Sequence, residues 1–336
     1  MIKKYLVFII FFAGNMNAVR SQADFSKRSY PMQIIFDTDF GPDYDDVGAI
    51  ALLHCFADSG YIHILATMAS SCHRNAAAAI SVFNTYFNRP DLPVGIVRGD
   101  GVSLGDGQHW TDTVIARYPH KIQNNREAAD APMLYRKILS SKPDHSVTII
   151  TVGFLTNLSD LLETHGDQFS SLSGLELVKK KVSNLVCMAG KFPSGREFNL
   201  DQDVNSSKKV LAAWPTPILF SGFEIGQKIK TGLPIIHNDA IHQSPVKDVF
   251  AICIPQAKED SAGRMSWDET AVLVAIKGWQ GYYDIQKGTC KINANGFNEW
   301  NKTGNMQAHL KERESPYLIA ALINQLMMHQ PSAVRQ

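Results

Sequence analysis

The chain has 336 residues, 45% of them hydrophobic, enough to bury a large core in one domain or two. Its 33 basic and 32 acidic side chains leave a formal charge of +1, which offers no electrostatic footprint for nucleic acid or an anionic membrane. Five cysteines without CxxC spacing argue against a zinc site.

At the N-terminus, Lys3 and Lys4 precede an apolar run over residues 5–13 and small residues at Ala18, Ser21 and Ala23. This is the pattern of a signal peptide, residues 1–23, removed on export to the periplasm or the medium. The run is too short for a membrane span, and no later run approaches the ~20 apolar residues a span needs. In an exported chain one or two disulfides can form and at least one thiol stays free, with Cys55 and Cys187, inside apolar segments, reading as buried thiols.

The remainder, residues 31–332, reads as a single domain. Ile34-Ile35-Phe36 runs into five acids, Asp37, Asp39, Asp43, Asp45 and Asp46, within ten positions, and residues 47–56 then follow a helical pattern. Strand, tight loop and helix is the layout in which open α/β sheets bind ligands, beyond a strand's carboxyl end. Five carboxylates repel one another, so the loop needs a counter-charge, and a hard divalent cation with oxygen ligands would supply it.

Residues 61–67 and 93–97 predict further strands, with an alanine-rich helix over 75–87 between them. Alternation at this spacing indicates right-handed βαβ units and a parallel sheet. Residues 98–125 are rich in Gly, Asp and His with little periodicity, long enough to suggest a functional or mobile loop. A helix over 131–140 leads to a β-branched strand over 146–152, then Gly153-Phe154-Leu155-Thr156-Asn157 and a helix over 158–163. Residues 182–189 predict a strand running into a polar loop, 190–203, followed by a helix over 206–213 and a strand over 216–221. Residues 231–255 give no clear pattern. Trp267-Asp268-Glu269-Thr270 then introduces an apolar helix over 271–276, with Asp268 as a cap or first-turn acid. Residues 282–292 alternate and predict an antiparallel excursion turning at Gly288, and a helix over 317–328 closes the chain. The expected fold is α/β and Rossmann-like: a mostly parallel central sheet with helices on both faces and a cleft at the carboxyl ends of its strands.

Four of these pieces together resemble the inosine/uridine-preferring nucleoside hydrolases. They are Asp37, Asp39, Gly41, Asp45 and Asp46 after the first strand; Gly153, Leu155, Thr156 and Asn157 after a middle one; Glu197, Phe198 and Asn199, followed by Asp203; and Asp268 at the head of an apolar helix. Each motif alone is weak, but their common order over residues 34–276 is specific. The resemblance implies a calcium ion held by Asp39, Asp46, the backbone carbonyl of Thr156 and Asp268, in keeping with calcium's oxygen-only, flexible coordination. It implies hydrolysis of the N-glycosidic bond of a ribonucleoside, with Asp39 taking a proton from the attacking water and the bond breaking through an oxocarbenium-like state. Glu197 and Asn199 would bind ribose hydroxyls, Asp45 would contact ribose or the water, and Asp37 would orient the loop from behind. Homodimers or homotetramers are also implied.

Many members carry a histidine just before the late Asp, where Trp267 stands here; tryptophan stacks on a base but cannot protonate it. That leaves His73, His109, His237 and His242 as candidates for the leaving-group acid. Two rival readings use the same residues. Haloacid-dehalogenase phosphatases share the apolar-DxD start, with Asp37 as nucleophile, but usually carry Thr or Val where Gly41 stands. The other is a secreted calcium-dependent nucleoside or sugar binder without turnover. An EF-hand loop is excluded because Gly48 occupies the place of its bidentate Glu.

Overall fold

The computed structural model describes residues 30–331, so the expected signal segment over 1–23 lies outside the described residues. Among the described residues, thirteen strands form an eleven-stranded sheet and one two-stranded ribbon. The main sheet contains β1 (Met32–Thr38), β2 (Ile62–Ala69), β3 (Val94–Ile96), β4 (Ala129–Asp130), β5 (Val147–Thr151), β6 (Val182–Met188), β7 (Ser194–Arg196) and β8 (Ile218–Ser221). After the ribbon strands β9 (Lys230–Thr231) and β10 (Arg264–Met265) come β11 (Tyr283–Ile292), β12 (Phe297–Asn301) and β13 (Gln307–Glu312).

Spatial order is β4-β3-β2-β1-β5-β6-β8-β13-β11-β12-β7, parallel from β4 through β13 and antiparallel beyond it. The chain leaves β1 towards β2, β3 and β4, then returns to place β5 on the other side of β1. The sheet's switch point therefore lies between β1 and β5, where the acidic loop and the Gly153 turn emerge.

Side chains along β1 alternate between two cores, as the period of a strand buried on both faces requires. Ile34 and Phe36 join one, with the helices Asp45–Asp58, Ala76–Tyr86, Trp267–Lys277 and Pro316–Met327. Ile35 joins the other, with Ala131–Ser140, Thr156–Glu163, Gly174–Lys181 and Val204–Ala213.

Three expectations are corrected. The strand over 283–292 does not turn at Gly288; it runs straight through, pairing with β13 up to that residue and with β12 after it. Gly288 is needed because a Cβ there would meet the Trp300 ring and the Asn301 carbonyl. The 98–125 segment holds a helix, Trp110–Arg117, whose start is fastened by Asp106 accepting from the Thr111 amide (2.7 Å) and hydroxyl (2.8 Å). The polar loop over 190–203 contains β7 and a short helix, Phe198–Gln202. All five cysteines are free, and Cys55 and Cys187 are buried.

Candidate active site

A cavity of about 320 Å³ opens at the switch point. Asp39, Asp43, Asp45 and Asp268 form its acidic part, Val152, Met188, Glu197 and Asn199 another wall, and Phe198, Phe223, Glu259, Arg264, Met265 and Trp267 the rest. Residues separated by more than 200 positions thus meet in one crevice.

The acidic loop is held in place from behind. Asp37 is fully buried, and its carboxylate accepts from the Tyr135 hydroxyl (2.8 Å) and from the Asn157 amide (3.1 and 3.2 Å). Burial raises it to about 7 despite these donors. A carboxyl so enclosed and so engaged is a brace for the loop and is not placed as a phosphatase nucleophile. Phe40 packs edge-on against Trp110, 5.3 Å between centroids, and Gly41 at φ +138° lies flat against the His73 ring. The long 98–125 segment therefore buttresses the loop rather than lining the cavity. Gly153 is required for the same closeness, since a Cβ there would strike the Asp39 backbone.

Asp45 and Asp46 begin the helix Asp45–Asp58, and Asp268 and Glu269 sit in the first turn of Trp267–Lys277. Two helix N-termini bring partial positive charge to the cluster. Arg264 brings a whole one: its guanidinium lies 2.7 Å from Asp45, 2.8 Å from Asp43 and 3.7 Å from Asp260, between the rings of Tyr44 (4.8 Å) and Trp267 (5.3 Å). The counter-charge inferred from the sequence is thus partly internal. The one trace of Arg264 in the sequence is its place as the nearest basic residue ahead of Asp268-Glu269.

One arginine does not neutralise the cluster. Asp46 Oδ1 accepts from the Thr38 hydroxyl, while its Oδ2 is buried without a hydrogen-bond partner; both Glu269 oxygens are likewise buried and unpartnered. Burial first, then mutual repulsion, pushes Asp45 and Asp46 up to about 7 and holds Asp39, Asp268 and Glu269 well above the carboxylate range. Carboxyl oxygens of Asp43, Asp45 and Asp46 approach within 4.8 Å of one another. An all-oxygen donor set with an orphaned buried oxygen fits a hard cation.

The other predicted residues are brought to the same place with two exceptions. Glu197 caps the helix Phe198–Gln202, accepting from the amides of Asn199 (2.9 Å), Gly190 (3.0 Å) and Leu200 (3.2 Å). The Asn199 amide is spent on the carbonyls of Val152 (2.8 Å) and Met188 (3.1 Å), which leaves its Oδ1 as the free acceptor. This corner is fixed by the sheet extension: β7 pairs with β12, and Asn298 grips both the amide and carbonyl of Lys191 (2.9 and 2.8 Å). Trp267 lines the cavity, stacks on Phe223 at 5.3 Å and donates its indole N–H to the Phe223 carbonyl (2.8 Å). Asp46 and Thr156 are outside the lining, the Thr156 hydroxyl donating to Asp203 (2.7 Å). None of His73, His109, His237 and His242 lines the cavity; His73 is occupied with Leu104 O and Thr111 (3.1 and 3.2 Å).

An open α/β sheet with a carboxylate-lined crevice at its switch point has the layout of the α/β enzymes that bind small molecules there. The sequence profile of the inosine-uridine preferring nucleoside hydrolases matches residues 34–325, and the chain belongs to that family of N-glycosidases. No curated protein sequence matches it. Similar folds include a plant nucleoside hydrolase (18% identity, TM-score 0.67, covering 89% of this chain and 99% of that one). Another is the purine-preferring ribonucleoside hydrolase of Gardnerella vaginalis (14%, TM-score 0.71, 88% and 99%). A third is the inosine-uridine preferring enzyme of Bacillus anthracis (15%, TM-score 0.67, 88% and 99%).

Proposed function

We propose that the protein hydrolyses the N-glycosidic bond of a ribonucleoside or related ribosyl compound in a calcium-dependent reaction, releasing base and ribose. The observation that carries this reading is the pairing of under-neutralised carboxylates with hydrogen-bonding groups and aromatic rings in one crevice. Asp39, Asp46 and Asp268, with the Thr156 carbonyl, would hold the ion. Bound there, calcium would supply positive charge that ionises the surrounding carboxyls, gathers ribose hydroxyls and makes a nearby water more acidic.

Asp39 faces the cavity from the end of β1 and is the base that takes the water's proton. Asn199, its amide already committed, offers Oδ1 to a ribose hydroxyl, and Glu197 presents its remaining lone pairs beside it. Asp45, fixed by Arg264, is held against the sugar or the water. Carboxylates on several sides favour a sugar that gains positive charge as the bond breaks. Trp267 and Phe223 give the base an aromatic wall.

The charged and apolar pattern of residues 3–13 supports an exported protein, and the family supports a homodimer or homotetramer. No helix among the described residues is long and apolar enough to cross a membrane. Reducing-sugar release across purine and pyrimidine nucleosides, with and without calcium, tests the reading. Release that vanishes on chelation and in Asp39→Asn is expected. Calcium-dependent ribose binding without base release by the folded protein would instead identify a binder.

A further inference from the structure

A second and larger cavity, about 1170 Å³, lies where β11 outruns its neighbour β13, and it shares no lining residue with the first. The ladder between these strands ends at Gly288 opposite Gln307, yet β11 continues to Ile292 with only β12 paired to it. Main-chain groups along a strand alternate between its two sides. The Cys290 amide turns away from β12, since Gln307 Oε1 accepts it at 2.7 Å, so Ile292 turns its own amide and carbonyl to that side, where no strand pairs with them. Gln307 stands in for the missing strand and is tied at its other end to the Leu211 carbonyl (3.0 Å).

Leu211, Trp214, Ile292 and Met306 give this groove apolar surface, and its charged lining residues are Lys179, Lys208 and Lys291, with no acid among them. Their neighbours on the same two helices are neutralised: Lys181 pairs with Asp144 at 2.8 Å and Lys209 with Glu163. The three groove ammonium groups have no ion pair or hydrogen bond among the described residues. A lysine on an edge strand commonly discourages unwanted pairing, which accounts for Lys291. It does not account for Lys179 and Lys208, which reach the groove from the helices Gly174–Lys181 and Val204–Ala213. A bare anion would meet the lysines and leave the apolar surface and the strand edge unused. An extended chain of alternating acidic and apolar residues meets all of them.

We propose that this groove docks an acidic, extended segment of a partner protein, which adds to the free edge of β11 as a strand and sets its carboxylates against Lys179, Lys208 and Lys291. The open edge is short, so main-chain pairing holds the segment only in part and the lysines supply the rest. The contact is therefore sensitive to salt.

Fluorescence anisotropy of a labelled peptide alternating glutamate and valine, titrated with the intact protein, tests this. Saturable binding is expected at low salt, about tenfold weaker at physiological salt. Lys208→Glu combined with Lys291→Glu, both at the surface, is expected to weaken it by at least about tenfold while the melting temperature holds. Methylating the peptide's main-chain nitrogens along one edge is expected to cost about tenfold as well, because strand pairing is lost. Absence of saturable binding, equal binding of a lysine–valine peptide, or an affinity unchanged in the double variant overturns the inference. So does binding that inorganic polyphosphate abolishes and methylation leaves untouched, which would make the groove a site for simple anions. A dimer in sedimentation that the two lysine substitutions dissociate would assign the groove to a second copy of this chain and overturn it equally.

Discussion

Two buried charge clusters in this molecule are built on opposite plans. Arg136 is fully buried in the second core, and every side of its guanidinium is met: Asp167 at 2.8 and 3.1 Å, Thr164 Oγ1 at 2.9 Å, and the carbonyls of Ser170 and Leu172 at 2.9 Å each. In return Asp167 is held well below the usual carboxylate range. Around the switch point, acids outnumber the single guanidinium of Arg264, one oxygen of Asp46 and both of Glu269 lack partners, and the carboxyls are pushed upward. A charge that only holds a loop is saturated by the protein. A charge left unsaturated at the cost of folding stability is arranged for something that arrives from solution.

Removing a group from the unsaturated cluster should act on turnover, and from the saturated one on folding. Asp39→Asn keeps the shape and removes the base, so kcat is expected to drop on the order of 10³-fold, within the range of general-base loss, with little change in melting temperature. A drop below tenfold in a steady-state assay would assign the proton transfer elsewhere. Arg136→Met removes the buried donor that Thr164 and the Ser170 and Leu172 carbonyls share, and is expected to lower stability clearly in denaturant titration, with kcat unchanged where the protein remains folded. A variant of normal stability and lost activity would erase the contrast.

Much of this plan was legible in the sequence because its signals are local. Strand alternation, the Asp37–Asp46 cluster and the Asp268 helix start are each read within a dozen residues, and the fold brings Asp39, Asp45, Glu197, Asn199, Trp267 and Asp268 to one cavity. What escaped depends on contacts between distant segments. Arg264 matters only because its ribbon strand folds over Asp45, 219 positions away. Residues 98–125 show little periodicity because their helix is only eight residues long, burying Trp110, Thr111 and Val114, with Trp110 against Phe40. Gly288 looked like a turn because glycine usually marks one, whereas here it admits the Trp300 ring. Thr156 and Asp46 sit beside the cavity rather than in its lining, a distinction no motif encodes.

The raised carboxyls make the contrast measurable by pH. For Asp37, Asp45 and Asp46 the folded value near 7 exceeds the ordinary 3.8, so between those limits the native state binds more protons than the unfolded one. Stability of the chelated protein must then fall as pH rises through that window, by at most about 1.4 kcal/mol per pH unit for each group. The melting temperature without metal is expected to be about 4 °C lower at pH 8 than at pH 5, allowing for partial compensation. Calcium should restore it at pH 8 and do little at pH 5, because binding needs the ionised carboxylates. A chelated protein with no such slope would mean that the cluster finds its counter-charge within the fold, as Arg136 does.

The smallest effect is expected at the aromatic wall. Trp267→Phe keeps a ring against Phe223 but gives up the indole N–H to the Phe223 carbonyl and the broader face under Arg264. If the wall only holds the aglycone, it contributes equally to substrate and transition state, and its loss appears in KM alone. KM is expected to rise about threefold with kcat steady, the scale of part of an aromatic contact. A tenfold fall in kcat would mean instead that Trp267 acts through Arg264: losing its ring would loosen the guanidinium, and with it Asp45, from the geometry the reaction needs.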